Sequence, residues 1–183
     1  TVNVYITQST ITMPNKLQHL AMTLYALTLK NIYPLILLIC SFGIYFTYYG
    51  TPGAMFWDEN YHIASAQKHI DGVMYMEPHP PLGKMLMGLA EAVIDPNANL
   101  DKQKFTQTDH IEGSDTPAGM KYTGYRWPSV VLMALSVLFF YGILRRITQN
   151  QLIAFLFSSF IIFDNALVIQ ARAAMLEGIQ LFF

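Results

Sequence analysis

The chain has 183 residues, of which 53% are hydrophobic, 14% aromatic and only 13% charged, against about 25% charged in an ordinary globular chain. With a mean hydropathy of +0.32, this composition argues against a soluble domain. A net charge of -1 gives no reason to expect a nucleic-acid partner, and a single cysteine, Cys40, excludes an internal disulfide and a multi-cysteine metal centre.

Residues 1–31 form an N-terminal segment of mixed character. Thr1 is not an initiator, Met13 is the first plausible start, and a β-branched run covers 2–11. Leu17, Leu20, Leu24 and Leu27 recur at helical spacing, which predicts a helix lying on a membrane surface. Residues 32–49 are uncharged and predict a first transmembrane helix, because 18 residues just suffice to cross about 30 Å of hydrocarbon. Tyr45, Tyr48 and Tyr49 suit its interfacial end, and Lys30 flanks the other.

Residues 50–125 read as one long extramembrane loop that carries most of the charge. A helix is expected over 58–70, its acidic start suited to capping and to the helix dipole, with Asp71-Gly72 as its stop. A second is expected from His79-Pro80-Pro81-Leu82-Gly83-Lys84 to Asp95-Pro96. Its Leu82, Met85, Leu86, Leu89 and Val93 make one apolar stripe, with Lys84 and Glu91 off it, as in an interfacial helix.

Residues 126–144 predict a second transmembrane helix, entered by Arg126. Arg145-Arg146 and a short polar loop follow. The positive-inside rule puts that loop in the cytoplasm and the long loop outside. A third crossing is expected over 151–169: either the apolar 152–163 tilts and reaches the outer face near Asp164-Asn165, or the helix continues to about Ile169 with that pair facing protein. Residues 170–183 read as an outer loop and the opening of a fourth helix. The expected class is therefore an all-α, multi-spanning membrane protein, of which this chain is an N-terminal part.

This topology collects Asp58, Glu59, His79, Lys84, Arg126, Asp164, Arg172 and Glu177 at one outer face. Arginine and lysine are suited to a phosphate, and a carboxylate can accept a proton from a hydroxyl. The expectation is a lipid-phosphate substrate reacting with a water-soluble acceptor, and it requires the acidic pair, Arg126 and Arg172 to share one pocket. Glu59-x-x-His62 has the spacing of a helical metal pair, but stands unaccompanied, so no metal is assigned.

Taken together in this order, Phe56-Trp57-Asp58-Glu59, His79-Pro80-Pro81-Leu82-Gly83-Lys84, Tyr125-Arg126, Phe163-Asp164-Asn165-Ala166-Leu167, Gln170-Ala171-Arg172 and Met175-Leu176-Glu177 resemble the N-terminal part of the protein O-mannosyltransferases. The resemblance implies a GT-C type glycosyltransferase that moves mannose, with inversion, from a dolichyl or other polyprenyl phosphate to serine or threonine hydroxyls of proteins. It implies that Asp58 is the general base and that Glu59 binds acceptor or shapes the site. Arg126 matches an arginine the family needs, and His79, Lys84 and Arg172 become candidates for the donor phosphate. Where the family commonly has aspartate, this chain has Glu177. The expected setting is a bacterial plasma membrane or the endoplasmic reticulum, with the site on the extracytoplasmic or lumenal side. A metal requirement and a dimer are left open, as are a GT-C enzyme with a lipid acceptor and a non-enzymatic transporter or assembly subunit.

Overall fold

The computed structural model describes residues 16–20, 22–23, 31–77 and 79–183. It divides into two compact units, residues 1–32 and 33–183. In the first, residues 16–20 and 22–23 are helical, with Leu17 and Leu20 exposed. The expectations placed on 1–15, Leu24, Leu27 and Lys30 lie outside the described residues.

The second unit is built of helices, with no strand among the described residues. They are α1 (Ile32–Phe46, which begins at the unit boundary), α2 (Glu59–Asp71), α3 (Leu82–Ile94), α4 (Gln103–Gln107), α5 (Thr123–Thr148), α6 (Gln151–Phe163), α7 (Asn165–Ala171) and α8 (Glu177–Gln180). The long loop thus folds into α2 to α4 and a 3-10 turn at Gly113–Asp115.

Local chemistry sets most of the helix ends. Helix α2 stops at Gly72, which adopts the left-handed conformation (φ 66°) and donates its N–H to the Lys68 carbonyl. Helix α3 begins after Pro81 and ends at left-handed Asp95, whose N–H reaches the Glu91 carbonyl at 2.8 Å. Helix α5 ends one turn beyond the expected 144, so that Arg145 and Arg146 lie in its last turn, where cations complement the helix dipole. Asn150 caps α6, its side chain accepting from the N–H groups of Leu152 and Ile153.

Two expected spans differ from the observed helices. Helix α1 has 15 residues where 18 were expected; the chain leaves the helix at Thr47–Gly50, with Tyr48 at φ 59°. At about 1.5 Å per residue it is about 22 Å long, less than the hydrocarbon thickness. The stretch 151–169 is not one helix. Asp164 turns extended (ψ 114°) and restarts the chain by accepting a bond from the Leu167 N–H, which leaves α6 and α7 bent by 60°. Among the described helices, α5 alone is by itself long and apolar enough to cross a membrane; α6 and α7 qualify only as a bent pair.

Helix α5 is the axis of the unit, and two apolar clusters divide along it. Ile63, Met87, Phe105, Ile111 and Tyr122 pack with its N-terminal part, while Leu37, Tyr45, Val137, Ala154 and Ile162 pack with the rest. Helix α3 lies against α2 and α5 in an inverted sense. Its apolar stripe points outward, with Leu89 61% and Val93 75% exposed, whereas Lys84 and Glu91 are 2% and 0% exposed. Gly88 permits the close approach of α2 and α3, since a Cβ there would stand 2.8 Å from the Ala66 carbonyl oxygen.

Candidate functional site

The segment from Tyr49 to Glu59 sets up the site. Trp57 is exposed and left-handed (φ 54°), a conformation that costs a non-glycine residue energy and that recurs at functional positions. It brings Asp58 to the N-cap position of α2 and Glu59 into the first turn, and the two neighbours meet opposite surroundings.

Glu59 is fully buried. Its Oε1 accepts from Arg126 Nε at 2.7 Å and from the Ala174 N–H at 2.6 Å, and its Oε2 accepts from Arg126 Nη2 at 2.8 Å and from the Phe56 N–H at 3.1 Å. Arg126 is also fully buried. It donates further to the carbonyls of Tyr49, Pro52 and Ala54 at 3.4, 2.9 and 3.0 Å, and its guanidinium lies over the rings of Phe56 and Tyr122. A guanidinium has five N–H donors, and all five are taken. This clamp joins the turn after α1, the start of α2, the start of α5 and the link between α7 and α8.

Asp58 is exposed and its side chain makes no capping hydrogen bond, so the capping role expected of the acidic start does not fall to it. It lines an open pocket of about 750 Å³ together with Tyr61, His62, His79, Lys84, Asp109 and Glu177. His62 stands one turn along α2. Burial first, then the neighbouring Lys84 ammonium, lowers its pKa to about 4, so its imidazole is neutral near pH 7. Its Nδ1 is buried with no hydrogen-bond partner.

Lys84 is held by Glu77, their ammonium and carboxylate 2.5 Å apart. Glu77 also accepts from the His79 N–H at 3.1 Å and from the Tyr75 hydroxyl at 3.0 Å. Burial pushes the Glu77 carboxyl up, but the bonds from Lys84, the His79 backbone and Tyr75 outweigh it and bring the pKa below the usual value. Burial, with Glu77 as hydrogen-bond partner, pushes the Tyr75 hydroxyl up to about 12. Asp109 is engaged by Lys68. Glu177 opens α8, and its Oε2 is buried without a partner.

Farther along α3, Glu91 organises the segment that follows the helix. It accepts from Asn97 Nδ2 at 2.8 Å and from Lys102 Nζ at 3.3 Å, and Asn97 also bonds both backbone groups of Lys121. Burial raises the Glu91 pKa against the opposing effect of Asn97 and Lys102.

Of the residues expected to gather, Asp58, His79, Lys84 and Glu177 share the pocket, whereas Glu59, Arg126 and Arg172 do not line it. Among the described residues, the pocket that Asp58 lines is therefore shared with neither arginine, contrary to the expected single cavity. Arg126, expected to contact substrate, has every donor committed inside the protein. Arg172, expected near the donor phosphate, donates instead from Nη2 to the Ile44 carbonyl in the last turn of α1, with its Nε buried and unpartnered. Asp164 spends its carboxylate as the cap of α7.

Glu59 and His62 cannot act as a metal pair in this arrangement, because both Glu59 oxygens are occupied by N–H donors. Among the described residues no three His, Cys, Asp or Glu side chains converge as a metal-binding group. Sequence reasoning missed Glu77, Tyr75 and Asp109 as parts of the site. The one available signal was an acid two residues ahead of His79.

A family model described as dolichyl-phosphate-mannose-protein mannosyltransferase matches residues 35–183. Protein O-mannosyl-transferase 2 of Drosophila melanogaster is 27% identical over 132 residues, covering 72% of this chain and 16% of the relative. Dolichyl-phosphate-mannose–protein mannosyltransferase 1 of Candida albicans is 26% identical over 147 residues, 80% of this chain and 16% of the relative. Mannosyltransferase 3 of the same description from Saccharomyces cerevisiae is 28% identical over 127 residues, 69% and 16%. No solved structure matches. The matched part of the chain thus spans 16% of the length of these curated relatives. With the family model extending over most of its residues, the chain belongs to the dolichyl-phosphate-mannose-protein mannosyltransferase family.

Proposed function

We propose that the whole protein is a multi-spanning membrane glycosyltransferase that moves mannose from a polyprenyl (dolichyl) phosphate to serine or threonine hydroxyls of proteins, and that Asp58 is its general base. The shared pocket that the sequence reading required of the acidic pair, Arg126 and Arg172 is not formed, so the reading rests on the family and on the contrast within the acidic pair. In a chain of this family, Asp58 alone of the two presents a carboxylate to an open pocket.

A serine or threonine hydroxyl becomes an effective nucleophile as a base takes its proton. In the proposed step Asp58 accepts that proton, the hydroxyl oxygen bonds to the anomeric carbon, and the bond to the phosphate oxygen breaks. The electron pair leaves on the polyprenyl phosphate, and one displacement gives inversion. Negative charge grows on the departing phosphate, so cations there lower the barrier. In the pocket, Lys84 is already paired with Glu77 and His79 lies beside the same carboxylate, so the main countercharge for that phosphate is supplied from outside the pocket. Glu59 and Arg126 act as positioning residues, holding the turn on which Asp58 stands.

A membrane setting is supported by the outward apolar stripe of α3, which suits a helix half sunk in lipid headgroups. It is supported also by the polarity of α5. Arg126 and the pocket lie at its start, and Arg145-Arg146 about 29 Å away at its end. The positive-inside rule supports the reading in which the pocket faces the extracytoplasmic or lumenal side, and the proposed membrane is a bacterial plasma membrane or the endoplasmic reticulum.

The test uses the full-length protein in nanodiscs with polyprenyl-phosphate mannose and a serine/threonine peptide. Asp58→Asn is expected to lower transfer by about 10² to 10⁴, the range of a lost acid-base group, while donor binding persists. Full turnover by this variant removes Asp58 from the base role, and transfer to a lipid but not to any peptide overturns the acceptor assignment.

A further inference from the structure

The charges around the pocket do not balance. Its lining includes the carboxylates of Asp58, Asp109 and Glu177 and a single ammonium, Lys84. Lys84 is neutralised by Glu77, and Asp109 by Lys68. Of the two pocket histidines, His79 has its Nδ1 3.6 Å from Glu77, and His62 is neutral near pH 7. Arg126 and Arg172, the cations that could have offset the remaining acids, are directed elsewhere. Among the described residues, Asp58 and Glu177 are thus left without a basic partner on the same pocket.

Two further observations point to something that should fill it. The Glu177 Oε2 is buried with no donor, and a buried acceptor left unsatisfied is costly. His62, only 6% exposed, lines the same pocket with an unpartnered ring nitrogen. The Glu177 oxygen therefore offers lone pairs and negative charge to an incoming group, and His62 adds a ring nitrogen free to hydrogen-bond it.

We propose that this pocket takes the acceptor polypeptide and prefers one with a lysine or arginine close to the hydroxyl that receives the sugar, the cationic side chain docking against Glu177. This rests on the reading of Asp58 as the acceptor base. A basic side chain would supply the missing donors to Glu177 and the missing positive charge to the pocket. An acidic acceptor would meet like charge at both ends. The polyprenyl phosphate then draws its main countercharge from outside these walls.

The experiment compares three serine/threonine peptides of one sequence, with Lys, Gln or Glu beside the hydroxyl, against the full-length protein in neutral-lipid nanodiscs. Binding is read by fluorescence anisotropy and transfer by mannose incorporation. The Lys peptide is expected to bind roughly tenfold more tightly than the Glu peptide at low salt, with Gln between. The ratio should shrink toward one as salt shortens the Debye length from about 10 Å to about 3 Å. Glu177→Gln should compress the ratio in the same way. Equal affinities, tighter binding of the Glu peptide, or no peptide binding at all overturns the proposal. Preferential Lys binding without mannose transfer sustains the charge preference and counts against the sugar-transfer reading alone.

Discussion

Asp58 and Glu59 are adjacent acids with different fates, and the two regions around them teach different physics. Around Glu59 every donor and acceptor is matched. The carboxylate receives four N–H groups and Arg126 gives all five of its own. Around Asp58 the matching is incomplete, with an uncapped carboxylate, an unpartnered His62 nitrogen and an orphan Glu177 oxygen. A closed network rigidifies because nothing in it gains by moving. An open one is where a ligand can contribute. The clamp therefore holds the turn, and the pocket keeps unmatched groups for the proposed chemistry.

The largest expected effect comes from opening the clamp. Arg126→Ala leaves Glu59 charged, buried and unpaired, which costs about 3–5 kcal/mol, read as a large loss of thermal stability of the full-length protein in detergent. Arg126→Lys should rescue little, because an ammonium lacks the planar fork that serves Glu59 and three carbonyls at once. Next is Gly88→Ala, which drives a methyl against the Ala66 carbonyl oxygen and is expected to cost about 1–3 kcal/mol by overpacking. Removing the cap of α7 with Asp164→Ala should cost about 1 kcal/mol. A failure of the first variant to exceed the third would erase the contrast between clamp and surface.

The pocket side can be sharpened by pH. His62 titrates near 4 in the folded protein and near 6.5 when unfolded. The unfolded chain therefore binds the extra proton first as pH falls. The associated stability is fully present above about 6.5 and is lost progressively down to about 4. Thermal stability measured across that window should slope downward toward acid in the wild type and less steeply in His62→Gln. Equal slopes would mean that His62 is not held neutral by its surroundings.

Much of this organisation was legible in the residue order, where the signal was local. Asp71-Gly72 and Asp95-Pro96 end helices by their own backbone preferences, and the Pro80-Pro81 pair starts one. The stripe of α3 was legible as apolar, and so was its separation from Lys84 and Glu91. What stayed hidden depends on partners far along the chain. Arg126 reads as a cation at a membrane edge, and nothing in its neighbourhood announces that carbonyls more than 70 residues earlier will consume its donors. Lys84 reads as a free phosphate ligand until Glu77 folds back onto it. Arg172 reads the same way until α1 presents the Ile44 carbonyl. The break at Asp164 was half visible: the polar pair was evident, but whether it would cap or continue the helix depends on one ψ angle.

The division of labour between the two acids is tested most directly by making Asp58→Asn and Glu59→Gln in the full-length protein and measuring melting temperature and mannose transfer on the same preparations. The account predicts that Asp58→Asn melts with the wild type yet transfers almost nothing, while Glu59→Gln melts well below it. An Asp58→Asn protein that still transfers mannose, or that is destabilised as much as Glu59→Gln, would contradict it.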